Sequence, residues 1–202
     1  MPNMPSSSSP VALFITGPSG CGKTTLAEAW VRSRLLQSEP WTLLDKDVVS
    51  GRHGPRILSL LGADPHDRDS PVYKEALRDM DYAAALDVAA AQLSLGGSVV
   101  LPGPWTRELQ DGRLFSAARM GLPEVRVVVV RLSLPCEERH RRIQARGHFQ
   151  DGWKLSNWDA CLAAAPVALP LCTGQALTEM SAAAPLCEQV EMLAALLFPR
   201  IP

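Results

Sequence analysis

The segment GPSGCGKTT, residues 17–25, directly follows the apolar run VALFIT, residues 11–16. It matches the pattern G-x-x-x-x-G-K-[ST] at Gly17, Gly22, Lys23 and Thr24. The pattern predicts a buried strand, a glycine-rich turn whose N–H groups point at one anion, and a helix whose N-terminus adds partial positive charge. We therefore expect the chain to bind the phosphates of a nucleoside triphosphate, with ATP as the default.

The residues of this loop have separable expected roles. Lys23 is expected to reach the β- and γ-phosphates, and the Thr24 hydroxyl to bind Mg²⁺. Cys21 lies near a helix N-terminus, where a thiolate is favoured, but we interpret it as a variable loop residue and leave its reactivity open. The expected nucleotide-binding residues are Gly17, Ser19, Gly20, Cys21, Gly22, Lys23, Thr24 and Thr25.

Strand and helix patterns alternate along the rest of the chain, which predicts an α/β protein with a parallel sheet. The predicted strands are 11–16, 41–44, 98–101, 124–134 and 167–172, and the predicted helices are 22–36, 72–95, 107–120, 135–147 and 186–198. Residues 51–70 have no clear pattern. We expect one P-loop domain over residues 11–202, with a nucleoside-monophosphate-kinase-like fold, five strands flanked by helices and a small lid. Residues 1–10, rich in Pro and Ser, are expected to be a flexible tail.

Two carboxylates, Asp45 and Asp47, follow the second predicted strand in the sequence LLDKDVV. Ligands of an open parallel sheet bind at the carboxyl ends of its strands, and residues i and i+2 leave a strand on the same side. We expect Asp45 to support Mg²⁺ and Asp47 to orient an acceptor hydroxyl and take its proton. The alternative is a pair of solvated turn carboxylates.

Together with the loop and the D-x-D pair, the segment RRIQARGHF makes residues 11–150 resemble the gluconate kinases. More broadly, the chain resembles the P-loop small-molecule kinases that include adenylylsulfate kinases and chloramphenicol phosphotransferase. The segment QDGWKLSNWDA, residues 150–160, departs from the gluconate kinase lid. The third strand ends in VVLPGP without an acidic residue, as in adenylylsulfate and gluconate kinases, which favours a kinase over a P-loop ATPase.

The resemblance implies a lid over about 139–157, in which Arg142 and Arg146 neutralise charge on the transferred phosphoryl group. These two arginines share one helix face because they are four residues apart. The alternative is an ordinary solvated helix with pairs such as Glu138–Arg142. His148 is interpreted as a structural lid residue. The role of the segment Trp153–Trp158 stays open between stacking on a ligand and core packing.

The acceptor site is expected opposite Asp47, with Arg52, Arg68 and Arg107 as binding residues for an anionic or multiply hydroxylated molecule. Further candidates near it are His53, Tyr73, Arg78 and Trp105. For Tyr73 and Trp105 we favour a packing role.

Composition limits the partners. A net charge of −1 argues against broad binding to nucleic acid, and no apolar run is long enough to span a membrane. The five cysteines lack metal-binding spacing and predict reduced thiols in a cytoplasmic protein. We expect a small-molecule substrate as the partner, and a monomer or a homodimer.

The sequence therefore predicts Mg²⁺- and ATP-dependent phosphorylation of a hydroxyl on a small polar metabolite. An antibiotic or natural-product phosphotransferase and an ATP-binding regulatory NTPase remain as alternatives, and a nucleic-acid end kinase is weakened by the charge.

Overall fold

The computed structural model describes residues 9–163 and 177–199. Five parallel strands form one sheet in the order β2-β3-β1-β4-β5. The strands are β1 Val11–Thr16, β2 Trp41–Leu43, β3 Ser98–Pro102, β4 Arg126–Ser133 and β5 Leu177–Ser181. The helices are α1 Lys23–Leu35, α2 Lys46–Val49, α3 His53–Leu60, α4 Pro71–Ala76, α5 Arg78–Ser94, α6 Thr106–Gln110, α7 Cys136–Arg146, α8 Gly152–Ser156, α9 Trp158–Ala163 and α10 Leu186–Leu197.

The sheet is covered on both faces, which is why its central strands are continuous apolar runs. On one face Leu13 and Ile15 of β1 pack with Trp30 of α1 and Leu193 of α10. On the other face Phe14 packs with side chains of β3, α5 and α6. All six residues of β1 are buried, so the glycine-rich loop follows a strand that is packed on both faces.

The predicted α/β fold with five parallel strands is confirmed, and strands one to four and the helices 22–36, 135–147 and 186–198 lie within two residues of their expected bounds. The predicted strand 167–172 lies outside the described residues. The fifth strand of the sheet is β5, which the sequence patterns did not identify.

Two helical predictions and one stretch without a predicted element need correction. The expected helix 72–95 is interrupted at Leu77, whose φ of −128° ends α4 and starts α5. The stretch 51–70 contains α3. The expected helix 107–120 is only α6 followed by two 3-10 turns, because Gly112 takes a left-handed φ of 71° that breaks the regular helix.

No helix in the described ranges is long and apolar enough to cross a membrane. Cys21, Cys136 and Cys187 are free thiols.

Candidate active site

The glycine-rich loop is packed closely against two neighbouring elements. Gly17 has φ 137°, and a Cβ there would lie 2.5 Å from the carbonyl oxygen of Leu132 at the end of β4. Gly20 has φ 85°, and its Cβ would lie 2.8 Å from the carbonyl oxygen of Arg139 in α7. Both positions require glycine, because a side chain would be strained and would also meet backbone. The two glycines therefore allow the loop to adopt its tight turn directly before α1.

Lys23 is the first residue of α1, and its side chain turns back over the loop. Its Nζ donates a hydrogen bond to the carbonyl oxygen of Pro18 at 2.8 Å. Burial, together with the nearby Lys154 and Arg146, lowers the pKa of Lys23 to about 8. The ammonium therefore lies in a confined place where an anionic phosphate would stabilise its charged form.

The Thr24 hydroxyl donates a hydrogen bond of 2.9 Å to Oδ2 of Asp45. The other carboxylate oxygen of Asp45 accepts from the backbone N–H of Asp47 and so caps α2. Burial raises the pKa of Asp45, and the nearby Asp47 adds to the effect. The hydroxyl and carboxylate oxygens are the ligand types that Mg²⁺ prefers, beside the loop expected to hold phosphates, so this pair fits a magnesium ion.

Asp47 does not leave a strand beside Asp45, as the sequence suggested, because β2 ends at Leu43 and the chain turns into α2. Both carboxylates nevertheless line the same cleft. Oδ1 of Asp47 accepts a hydrogen bond from Nζ of Lys46 at 2.5 Å. Asp47 is thus held at the cleft by its short helix and by a neighbouring ammonium.

The cleft has a volume of about 200 Å³ and contains the loop residues Ser19, Gly20, Gly22, Lys23, Thr24 and Thr25. It adjoins a second cavity of about 370 Å³ under α4, α6 and α9. The residues that line both are Ser19, Lys46, Arg68, Asp69, Pro104 and Lys154. Because these six are shared, the two spaces lie next to each other. We call them the phosphate cleft and the second cavity.

The two lid arginines are placed differently. Arg146 lines the phosphate cleft and makes two hydrogen bonds of 2.6 Å to the buried carboxylate of Asp151. Arg142 contacts Glu138 at 2.8 Å and the carbonyl oxygen of Ala182, and it is absent from the lining of both spaces. Hydrogen bonds from Arg141 and Arg142 lower the pKa of Glu138 to about 2. For Arg142 the structure therefore has the Glu–Arg pairing of an ordinary helix.

Some of the expected acceptor residues line the two spaces and others do not. Arg68 lines both spaces, and Arg107 lines the second cavity while pairing with Asp79 at 3.1 Å. Arg52 and His53 are exposed and line neither space. The structure thus brings Arg68 and Arg107 to the site and leaves Arg52 outside it.

The other acceptor candidates also separate. Tyr73 and Arg78 line the second cavity, and each is anchored by a carboxylate, Asp81 and Glu108 respectively. Trp105 is a core residue, with its ring edge-on to Tyr82 at 4.6 Å between centroids, so it is excluded from the site.

Cys21 is almost fully buried under the loop. Burial raises the pKa of its thiol, and this outweighs the cations nearby. The thiolate that a helix N-terminus favours is therefore suppressed here.

Sequence reasoning missed several site residues, namely Lys46, Asp69, Lys74, Asp151 and Lys154. One signal was available: the chain has only four lysines against sixteen arginines, and all four lysines line the phosphate cleft or the second cavity. The carboxylates carried no comparable signal.

Comparison with known proteins agrees with this architecture. A family model described as "AAA domain" (AAA_33) matches residues 13–166. An adenylyl-sulfate kinase of Shewanella sp. (strain ANA-3) is 37% identical over 133 residues, which are 64% of this chain and 56% of that protein. The chain thus spans little more than half the length of the curated relatives it matches.

Two solved structures share the fold at low sequence identity. The APS kinase of Mycobacterium tuberculosis, in complex with AMPPNP and APS, has a TM-score of 0.59 and 18% identity, covering 94% of this chain and 98% of that one. A gluconokinase from Sinorhizobium meliloti 1021 has a TM-score of 0.56 and 19% identity, covering 94% and 97%. The resemblance to P-loop small-molecule kinases indicated by the sequence motifs is confirmed.

Proposed function

The chain belongs to the AAA domain family AAA_33, and from this membership and its site we propose that it is a kinase. It transfers the γ-phosphoryl group of ATP to a hydroxyl of a small anionic metabolite. The observation that carries the proposal is that the second cavity lies next to the phosphate cleft and shares six lining residues with it. A protein that only hydrolyses or holds ATP has no use for a second binding space beside the γ-phosphate, whereas a kinase needs one for its acceptor.

The phosphate cleft supplies the groups that phosphoryl transfer requires. Lys23 and the loop N–H groups bind the β- and γ-phosphates, and Arg146 adds charge from the lid. Thr24 and Asp45 hold Mg²⁺, which supplies positive charge to the phosphate oxygens when bound. Asp47 orients the acceptor hydroxyl and takes its proton as the new O–P bond forms.

The charge of the second cavity supports an anionic acceptor. Eight basic side chains line it, against the single carboxylate of Asp69: Lys46, Arg68, Lys74, Arg78, Arg107, Arg131, Arg139 and Lys154. Arg78, Arg107 and Arg131 are neutralised by carboxylates. Arg68, Lys74 and Arg139 form no ion pair within the described part of the chain and instead lie over aromatic rings. These three cations are available to an incoming anion.

The acceptor also meets apolar side chains in this cavity, including Tyr82, Leu109, Trp158 and Leu162. An anion with a planar or apolar part fits such walls better than a small hydrophilic sugar acid. The curated relatives carry the name adenylyl-sulfate kinase, and adenylyl sulfate has both features, so it is the first acceptor to test. Gluconate is the second, on the resemblance of the motifs.

The same apolar walls favour one other function, phosphorylation of a natural product or antibiotic. Such an acceptor uses the aromatic surface and leaves Arg68, Lys74 and Arg139 without an anion. The two candidate functions therefore differ in the charge of the acceptor rather than in its size.

A screen with labelled ATP tests these alternatives. The parent protein is incubated with Mg²⁺ and γ-labelled ATP and with adenylyl sulfate, gluconate, nucleosides or chloramphenicol, and Lys23→Met serves as the inactive control. We expect label on an anionic acceptor. Label on an uncharged apolar acceptor alone supports the natural-product alternative, and release of phosphate that ignores every acceptor contradicts the kinase proposal.

A further inference from the structure

The placement of lysine in this chain is selective. Of 202 residues only four are lysine, and each lines the phosphate cleft or the second cavity. Lys23 lines only the cleft and Lys74 only the second cavity, whereas Lys46 and Lys154 line both. Arginine carries the remaining positive charge of the chain. A compact ammonium with three rotatable donors is thus used only where ligands are expected.

Lys46 is the more buried of the two lysines that line both spaces. Its side chain is 9% exposed, and its Nζ lies 5.3 Å from the centroid of the Tyr82 ring. One of its three N–H groups is taken by Oδ1 of Asp47 at 2.5 Å, and no other hydrogen-bond partner of Nζ is present within the described ranges. A buried ammonium normally uses its remaining donors, so the other N–H groups of Lys46 are able to bind an anion between the two spaces.

Two partners are available in principle, the γ-phosphoryl group in the cleft and an anion on the acceptor. The connection to Asp47 favours the phosphoryl group. Asp47 is the group proposed to hold the acceptor hydroxyl, and the attacked phosphorus must lie next to that hydroxyl. An ammonium bonded to the same carboxylate is therefore beside the group in transfer, whereas Arg68, Lys74 and Arg139 remain for the acceptor's own charge.

We propose that Lys46 is a catalytic residue whose ammonium binds the γ-phosphoryl group during its transfer. The acceptor oxygen forms a bond to the γ-phosphorus, the bond from that phosphorus to the oxygen of the β-phosphate breaks, and ADP leaves. The hydroxyl proton passes to Asp47. Negative charge spreads over the three equatorial oxygens of the transferred group, and Lys46 stabilises it there. The transfer step rests on the proposed kinase function, because it needs an acceptor. The contact between Lys46 and the γ-phosphate does not depend on that function.

Amine labelling tests that contact without requiring turnover. The protein is treated with an acylating reagent alone, with Mg²⁺ and ADP, or with Mg²⁺ and AMPPNP, and the four lysines are quantified by mass spectrometry. We expect Lys46 to be protected by AMPPNP and much less by ADP, because only the analogue has a γ-phosphate. Lys23 should be protected by both nucleotides. Equal labelling of Lys46 in the presence of ADP and AMPPNP contradicts the proposal.

Kinetics separate catalysis from structure. Lys46→Met keeps an unbranched side chain over Tyr82 and removes the charge, and Lys46→Arg restores a charge. We expect Lys46→Met to lower kcat about 10²–10³-fold with an acceptor, as removal of one charge-stabilising donor does. Slow ATP hydrolysis without acceptor should fall in parallel, while ADP affinity changes less than about threefold, or roughly 0.7 kcal/mol. Lys46→Arg should recover part of the loss.

The control for charge removal is Arg56→Met, since Arg56 is exposed on α3 and lines neither space. A rise in acceptor KM alone, with hydrolysis unchanged, would show that Lys46 binds the acceptor and would overturn the proposal. If the parent protein phosphorylates no acceptor but protection and loss of hydrolysis both occur, the kinase function fails and the role of Lys46 stands.

Discussion

The Thr24 hydroxyl lies 2.9 Å from Oδ2 of Asp45, although 21 residues separate the two in the chain. The contact joins the first turn of α1 to the carboxyl end of β2. The glycine-rich loop is thereby connected to the start of α2, so Lys23, Thr24 and the carboxylates of Asp45 and Asp47 belong to one site.

The Thr24–Asp45 pair predicts a specific magnesium defect. Asp45→Asn removes a charged oxygen ligand and should raise the Mg²⁺ concentration needed for half-maximal activity by at least about tenfold, or roughly 1.4 kcal/mol. A magnesium titration at fixed ATP measures this. Asp87→Asn, on the exposed side of α5, is the matched control. An unchanged magnesium requirement in Asp45→Asn would remove Asp45 from the metal site.

Asp47→Asn should affect transfer without weakening nucleotide binding. It keeps the shape of the side chain but removes the proton acceptor, a change that typically costs about 10²–10⁴-fold in rate. We expect a fall of that order in kcat, with ATP affinity changed by less than about tenfold. The magnesium requirement should stay near that of the parent, in contrast to Asp45→Asn. Transfer at the parent rate would make Asp47 a turn residue.

The lid should respond to nucleotide. Arg146 and Lys154 line the phosphate cleft but are paired with Asp151 and Asp69, and phosphate oxygens compete with these carboxylates. We expect Mg²⁺ with AMPPNP to slow tryptic cleavage within 139–157, followed by mass spectrometry of the fragments. Cleavage at Arg32, exposed on α1, serves as the internal reference. Identical cleavage of the lid with and without nucleotide contradicts closure.

The buried pair of Arg78 and Glu108 should matter for stability. Their side chains are 10% and 6% exposed, and the guanidinium makes two hydrogen bonds to the carboxylate. Glu108→Gln leaves the buried guanidinium with only the exposed carboxylate of Asp79, 2.7 Å away, and should lower the free energy of unfolding, measured by urea denaturation, by about 2 kcal/mol. Glu28→Gln, at the exposed pair with Arg32, should cost under about 0.5 kcal/mol. Equal effects would mean that the buried pair is not special.

The nucleotide half of the site could be predicted from the sequence because it is local. Residues 17–25 are contiguous, and the strand and helix that flank them have strong patterns. The position of Asp45 in the cleft followed from strand-end reasoning, although the chain turns into α2 sooner than that reasoning supposed. Arg68, expected as a cation for an anionic acceptor, lines both spaces.

The acceptor half could not be predicted, because it depends on how short elements are arranged in space. Leu77 divides one apolar pattern into two helices, and Tyr73 before this break and Arg78 after it line the same cavity. Arg142 and Arg146 lie four residues apart and were expected on one helix face. Arg142 nevertheless pairs with Glu138, whereas Arg146 lines the phosphate cleft. No sequence pattern predicts that Lys46, between two aspartates, is buried. Only the rarity of lysine in the chain singles out this residue.

The most direct test of the central claim is the fate of the γ-phosphate in a single reaction. Purified protein is incubated with Mg²⁺, γ-labelled ATP and adenylyl sulfate or gluconate, and ADP, inorganic phosphate and phosphorylated acceptor are quantified together, with Lys23→Met alongside. The account predicts that phosphorylated acceptor and ADP appear in equal amounts, that inorganic phosphate is minor, and that Lys23→Met yields neither product. Inorganic phosphate equal to ADP, with no labelled acceptor, would contradict it.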